Sequence, residues 1–112
     1  MTVSEKCADI GKKLLYSREY LQEALDMAAH AKRPEDVVSA GLAKDIVTEC
    51  QKLYREVDIT GHEAIRADAA ITTALQKLNQ ADFDGAISNM LEARRVILDL
   101  LFQEVVACEC KR

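Results

Sequence analysis

The chain has 112 residues, of which 49% are hydrophobic and 30% charged, and its formal net charge is −4. These values predict one folded domain and argue against disorder and against a nucleic-acid-binding protein, which needs a basic face to neutralise phosphates. A single proline and four glycines are too few for the many turns of an all-β fold, so the alanine-rich sequence favours an all-α one.

The first predicted helix covers about residues 3–32. Thr2 and Glu5 have the spacing of a capping box, in which a hydroxyl accepts from an amide three positions on. Apolar or small residues then recur every three or four positions, which indicates an amphipathic helix. Asp9 and Lys13, one turn apart, are expected to pair on its outer side.

The second helix is predicted over about residues 34–58, because Pro34 suits a first helical position. The third is predicted over about residues 61–79, because Thr60 and Glu63 have the spacing of a second capping box.

One alternative stays open at the boundary between these two helices. Apolar or small residues at intervals of three or four positions, which form an apolar seam along a helix, also continue without interruption from Cys50 to Leu78. This continuity would give three helices with one long central helix. That helix would span roughly 68 Å at 1.5 Å per residue, and only a dimer could cover it.

The fourth helix is predicted over about residues 83–108, with Asp82 as its cap. Its second half, from Val96 to Val106, is apolar on most faces, so more than one neighbour must cover it. Short loops make consecutive helices antiparallel neighbours. The sequence therefore predicts a single all-α domain, an antiparallel up-down-up-down four-helix bundle.

The run from Leu78 to Ala86, together with Ala93, resembles the helix-turn-helix of a tetratricopeptide repeat. Small residues stand where the two helices cross, and Ala81 occupies the position where that motif usually has glycine. The resemblance covers about 20 residues in one copy and carries no function with it.

The cysteines are the candidate metal site. In an up-down-up-down bundle Cys7, Cys50, Cys108 and Cys110 approach one pole together with His62. Four thiolate or imidazole ligands suit zinc, and the same thiols would suit a redox function. The competing interpretation is that Cys7 and Cys50 pack as small hydrophobes, while the last two point to different faces of one helix.

A second candidate site is an interaction surface on the fourth helix. Its members are Val96, Leu98, Phe102 and Val106, since this segment carries more apolar surface than one flank of a small bundle can hide. A partner would be an identical chain or another helical protein.

Catalytic function is not expected, because no nucleophile, base or carboxylate pair converges and no phosphate-binding loop exists. The polar N-terminus and the lack of a segment of roughly 20 apolar residues predict no membrane partner and a cytoplasmic location, with reduced cysteines. The function predicted is a non-enzymatic, self-associating helical interaction or scaffold module without cofactor. The alternative is a small cysteine-based zinc or thiol-redox protein.

Overall fold

The computed structural model describes the backbone of residues 2–31 and 37–110, and the side chains of these residues as far as 104. This part of the chain forms four helices: α1 (Val3–His30), α2 (Val37–Arg55), α3 (His62–Asn79) and α4 (Phe83–Cys110). Helix α1 packs against α2 and α4, and α3 packs against the same two helices. The predicted four-helix bundle is thereby confirmed, with principal extents of 53 × 22 × 16 Å.

The apolar seams predicted from the sequence are the faces that the helices bury against each other. Leu14 and Leu21 of α1, Val47 of α2, Ile71 of α3 and Ile97 of α4 are fully buried. Their three- and four-residue spacing within each helix places them on one side, so four such sides close around one core. Ser17 is the buried polar side chain in this core, and its hydroxyl donates to the carbonyl of Lys13 at 2.8 Å.

The beginning of α1 follows the sequence closely. The Thr2 hydroxyl accepts from the amide of Glu5 at 3.1 Å, and Lys13 pairs with Asp9 at 3.2 Å. The predicted start of the second helix at Pro34 lies outside the described residues, and α2 ends at Arg55, earlier than predicted.

The chain turns between α2 and α3, so the alternative with one long central helix is wrong. The amide of Val57 donates to the carbonyl of Tyr54, and Gly61 adopts a φ of +118°, which disfavours any residue with a side chain. The hydroxyl of Tyr54 crosses the turn and donates to the carbonyl of Ala64 at 2.6 Å. The turn is thus held by a buried side chain as well as by its backbone.

The second predicted capping box is also wrong. Gly61, not Thr60, is the N-cap of α3, and no side chain accepts a hydrogen bond from the cap amides. The helix begins one residue later than a Thr60 cap requires, because the left-handed conformation at Gly61 ends the turn there.

The turn between α3 and α4 has the hydrogen bonds of a Schellman motif. The amide of Asp82 donates to the carbonyl of Lys77 at 2.9 Å, and the amide of Ala81 donates to the carbonyl of Leu78 at 3.1 Å. Asp82 then caps α4 as predicted, since its carboxylate accepts from the amide of Gly85 at 3.0 Å. The motif forces Ala81 to a φ of +58°, a conformation that glycine adopts at less cost.

Replacing Ala81 with glycine is therefore expected to stabilise the fold. Relief of the left-handed strain outweighs the extra freedom of the unfolded chain, and the free energy of unfolding should rise by about 0.5–1 kcal/mol. Urea denaturation followed by far-UV circular dichroism measures this change. The matched control is Ala8→Gly on the exposed side of α1, which should lower the free energy by about 1 kcal/mol. Equal losses for both variants would contradict the account of the turn.

Candidate functional site

Three large apolar side chains form a row on the outer side of α4. Leu91 and Leu98 are 45% and 41% exposed, and Phe102 is 70% exposed. Their spacings of seven and four residues place them on the same side of a helix. The row faces away from the core, whose α4 members are Met90, Ala93, Ile97 and Leu100.

Helix α1 contributes a fourth apolar side chain beside this row. The guanidinium of Arg94 donates to the side-chain oxygen of Gln22. This contact places the two residues at the same position along the bundle axis, which we call their height, and so aligns the two antiparallel helices. Leu15 lies seven residues before Gln22, and Phe102 lies eight after Arg94. These steps run in the same direction along the bundle, so Leu15, itself 45% exposed, lies at the height of Phe102.

Charged residues border this apolar row on both helices. On α1, Glu19 and Glu23 are exposed and face outward. On α4, Arg95 is exposed and forms ion pairs with Glu92 at 2.9 Å and Asp99 at 3.6 Å, both on its own helix. We call the surface formed by Leu15, Glu19, Glu23, Leu91, Arg94, Arg95, Leu98 and Phe102 the α1–α4 face. It combines an apolar centre with two glutamates at its edge on α1, unpaired among the described residues, and two arginines at its edge on α4, where Glu92 and Asp99 partly balance the charge of Arg95.

The sequence-based interaction set agrees with this surface in part. Leu98 and Phe102 are exposed, as that interpretation requires, whereas Val96 is fully buried and belongs to the core. Val96 lies one turn after Glu92, which pairs with Arg66 of α3, so it lies toward α3, on the far side of the helix from the apolar row. The side chain of Val106 lies outside the described residues. Leu15 and Leu91 were missed, although the seven-residue interval between Leu91 and Leu98 was available in the sequence.

The structure places Cys50 in the core. Its side chain is fully buried, and its thiol donates to the carbonyl of Ser17 across the α1–α2 contact, at 3.4 Å. Burial raises the pKa of this thiol to about 12, as expected for a cysteine packed in apolar surroundings. This position supports the packing interpretation of Cys50.

The other members of the predicted zinc site are not brought together among the described side chains. His62 is exposed at the first position of α3. Cys7 is disulfide-bonded, which differs from the expectation that the cysteines are reduced. No group of three histidine, cysteine or acidic side chains with metal-binding geometry occurs within the described part of the chain. The side chains of Cys108 and Cys110 lie outside that part, so zinc ligation by them stays a prediction.

A cavity of about 340 Å³ lies at the turn between α2 and α3, lined by Tyr54, Arg55, Val57, Ile59 and Ile65 among others. Burial, followed by the charge of Asp68, raises the pKa of the Tyr54 hydroxyl, which already donates to Ala64. Arg55 pairs with Asp68 at 3.1 Å. These ionisable groups are thus engaged with each other or with the backbone, and they hold the two helices together.

No family model, no curated protein and no solved structure matches this chain. Among the described helices, none combines the length and the apolar character needed to cross a lipid bilayer.

Truncations of two α4 residues, one buried and one exposed, distinguish core from surface. Val96→Ala should lower the free energy of unfolding by about 1–3 kcal/mol, because it leaves a cavity in a fully packed site. Phe102→Ala should change it by less than about 0.5 kcal/mol in the monomer, because most of that ring is already in water. Thermal or urea unfolding at low protein concentration measures both. A larger loss for Phe102→Ala than for Val96→Ala would mean that α4 is rotated about its axis relative to the account given.

Proposed function

We propose that this chain is a non-enzymatic helical interaction module that binds a helical partner on its α1–α4 face. The observation that carries the proposal is the row Leu91, Leu98 and Phe102 on α4, which the bundle's own helices leave exposed. Complete burial of a leucine or phenylalanine side chain is worth about 1.5–3 kcal/mol. Four half-exposed or more exposed side chains in one patch therefore provide a substantial reason for association.

The shape of the face, and the two packed helices that carry it, suit a helical partner. Apolar anchors at intervals of seven and four residues are the pattern by which amphipathic helices dock into grooves. Helices α1 and α4 are each 28 residues long and pack against each other, so the face is a long strip on two helices. The Arg94–Gln22 hydrogen bond ties the two sides of that strip together. Such a surface changes little on binding and keeps the entropic cost of association low.

The polar groups of the described residues support a binding function over catalysis. In the cavity between α2 and α3, Tyr54 and the Arg55–Asp68 pair are committed to structural contacts. The thiol of Cys50 is buried and donates to the carbonyl of Ser17. The zinc or thiol-redox alternative needs Cys50 as a ligand or a reactive group, and its position in the core argues against that role.

Site-specific photo-crosslinking in expressing cells tests the proposed function. Benzoylphenylalanine replaces Phe102 in one variant and Val38 in another, since Val38 is an apolar side chain of α2 that is 76% exposed and lies off the face. We expect a discrete crosslinked product from position 102, because the partner covers it, and none from position 38. Mass spectrometry identifies the product. If position 102 gives no product, or if both positions give the same products, the α1–α4 face is not the binding surface.

A further inference from the structure

We propose that the partner on the α1–α4 face is a second copy of this chain. The two copies are related by a two-fold axis that runs parallel to the helices, so that α1 of each copy lies along α4 of the other. This inference rests on the proposed function and adds to it the identity of the partner and the way in which it is oriented.

The charges on the face are arranged for this partner. Its edge on α1 carries Glu19 and Glu23, and its edge on α4 carries Arg94 and Arg95. No ion pair among the described residues engages Glu19 or Glu23. Arg95 shares its charge with Glu92 and Asp99 of its own helix. It is therefore the α1 edge that needs a partner's positive charge, and Arg94 and Arg95 of a second copy supply it. A second copy carries both edges already.

The two-fold axis brings the opposite edges into contact. Gln22 and Arg94 lie at the same height along the bundle, so Glu19 and Glu23 lie near the height of Arg95. A two-fold axis parallel to the helices leaves the height of every residue unchanged. It also places α1 of one copy opposite α4 of the other. Each acidic edge then meets the arginines of the other copy.

The same operation pairs the apolar residues. Leu15 of each copy comes to lie opposite Phe102 of the other, because these two residues also share a height. Every contact occurs twice, as an isologous interface requires. An axis perpendicular to the helices would instead pair α1 with α1 and α4 with α4, which leaves the acidic edge opposite an acidic edge.

The area of the strip is that of a stable dimer. A helix of 28 residues is about 42 Å long, and two packed helices side by side, each about 10 Å across, are about 20 Å wide. The face therefore offers about 800 Å² on each copy, which is the size of a standard specific interface. A single helix from another protein would cover only part of that width.

Analytical ultracentrifugation of the purified full-length chain with a charge exchange tests this arrangement. We expect the wild type to be a dimer at micromolar concentration. Glu19→Arg and Arg95→Glu should each raise the dimer dissociation constant at least about tenfold. The double variant should recover most of the affinity, because the exchanged charges again meet opposite signs. Glu49→Arg, an exposed position on α2 outside the face, is the matched control and should leave the dissociation constant unchanged.

Far-UV circular dichroism of each variant verifies folding, and Phe102→Glu provides a second route if Arg95→Glu unfolds the helix. A dimer that Glu19→Arg and Phe102→Glu leave intact would overturn the inference, since it would use another surface. A monomer at all concentrations would also overturn it. If position 102 still crosslinks to a different protein in cells, the proposed function survives that result; if it crosslinks to nothing, both fail.

Discussion

The close packing of α3 on α4 is the contact on which the arrangement of this bundle depends. Alanines dominate it: Ala67, Ala70 and Ala74 on α3 and Ala86 and Ala93 on α4 are buried. Small side chains let two helices approach closely, and the larger Ile71, Met90 and Ile97 are fully buried beside them in the same core. This contact fixes the rotation of α4 about its own axis. It therefore decides that Val96 faces inward and that Leu98 and Phe102 face out.

The periodicity of the sequence was sufficient to predict the helices, their order and most of the core. Seams such as Leu14 to Leu21 and Ile71 to Leu78 are buried as expected, because the position of a side chain around a helix follows from its number alone. The helix caps were predicted correctly at some helix ends and wrongly at another. Thr2 and Asp82 accept the amides assigned to them, whereas Thr60 does not. The seam passes through residues 56–61 unbroken, and only the backbone conformation at Gly61 and the bond from Tyr54 to Ala64 show that the chain turns there.

The candidate site was harder to derive, because it depends on how helices are placed relative to one another. That α4 carries surplus apolar surface is visible in the sequence, but Val96 and Leu98 cannot be told apart until α3 covers one side of the helix. Leu15 joins the face only because Gln22 meets Arg94, a contact between residues far apart in the chain. The cysteines show the same limit. A pole where thiols converge follows from topology, yet Cys50 lies deep enough in the α1–α2 contact to serve as packing and as a donor to Ser17.

Side-chain footprinting with hydroxyl radicals, performed on the purified chain across a range of protein concentrations, tests most directly whether the α1–α4 face is an interface. It reports the solvent exposure of individual side chains, and the chain offers internal references in Val38 and Ile65, which are exposed elsewhere on the bundle. The account predicts that Leu98 and Phe102 lose reactivity as the concentration rises, while Val38 and Ile65 keep theirs. Constant reactivity at Phe102, or protection of Val38 instead, would contradict it.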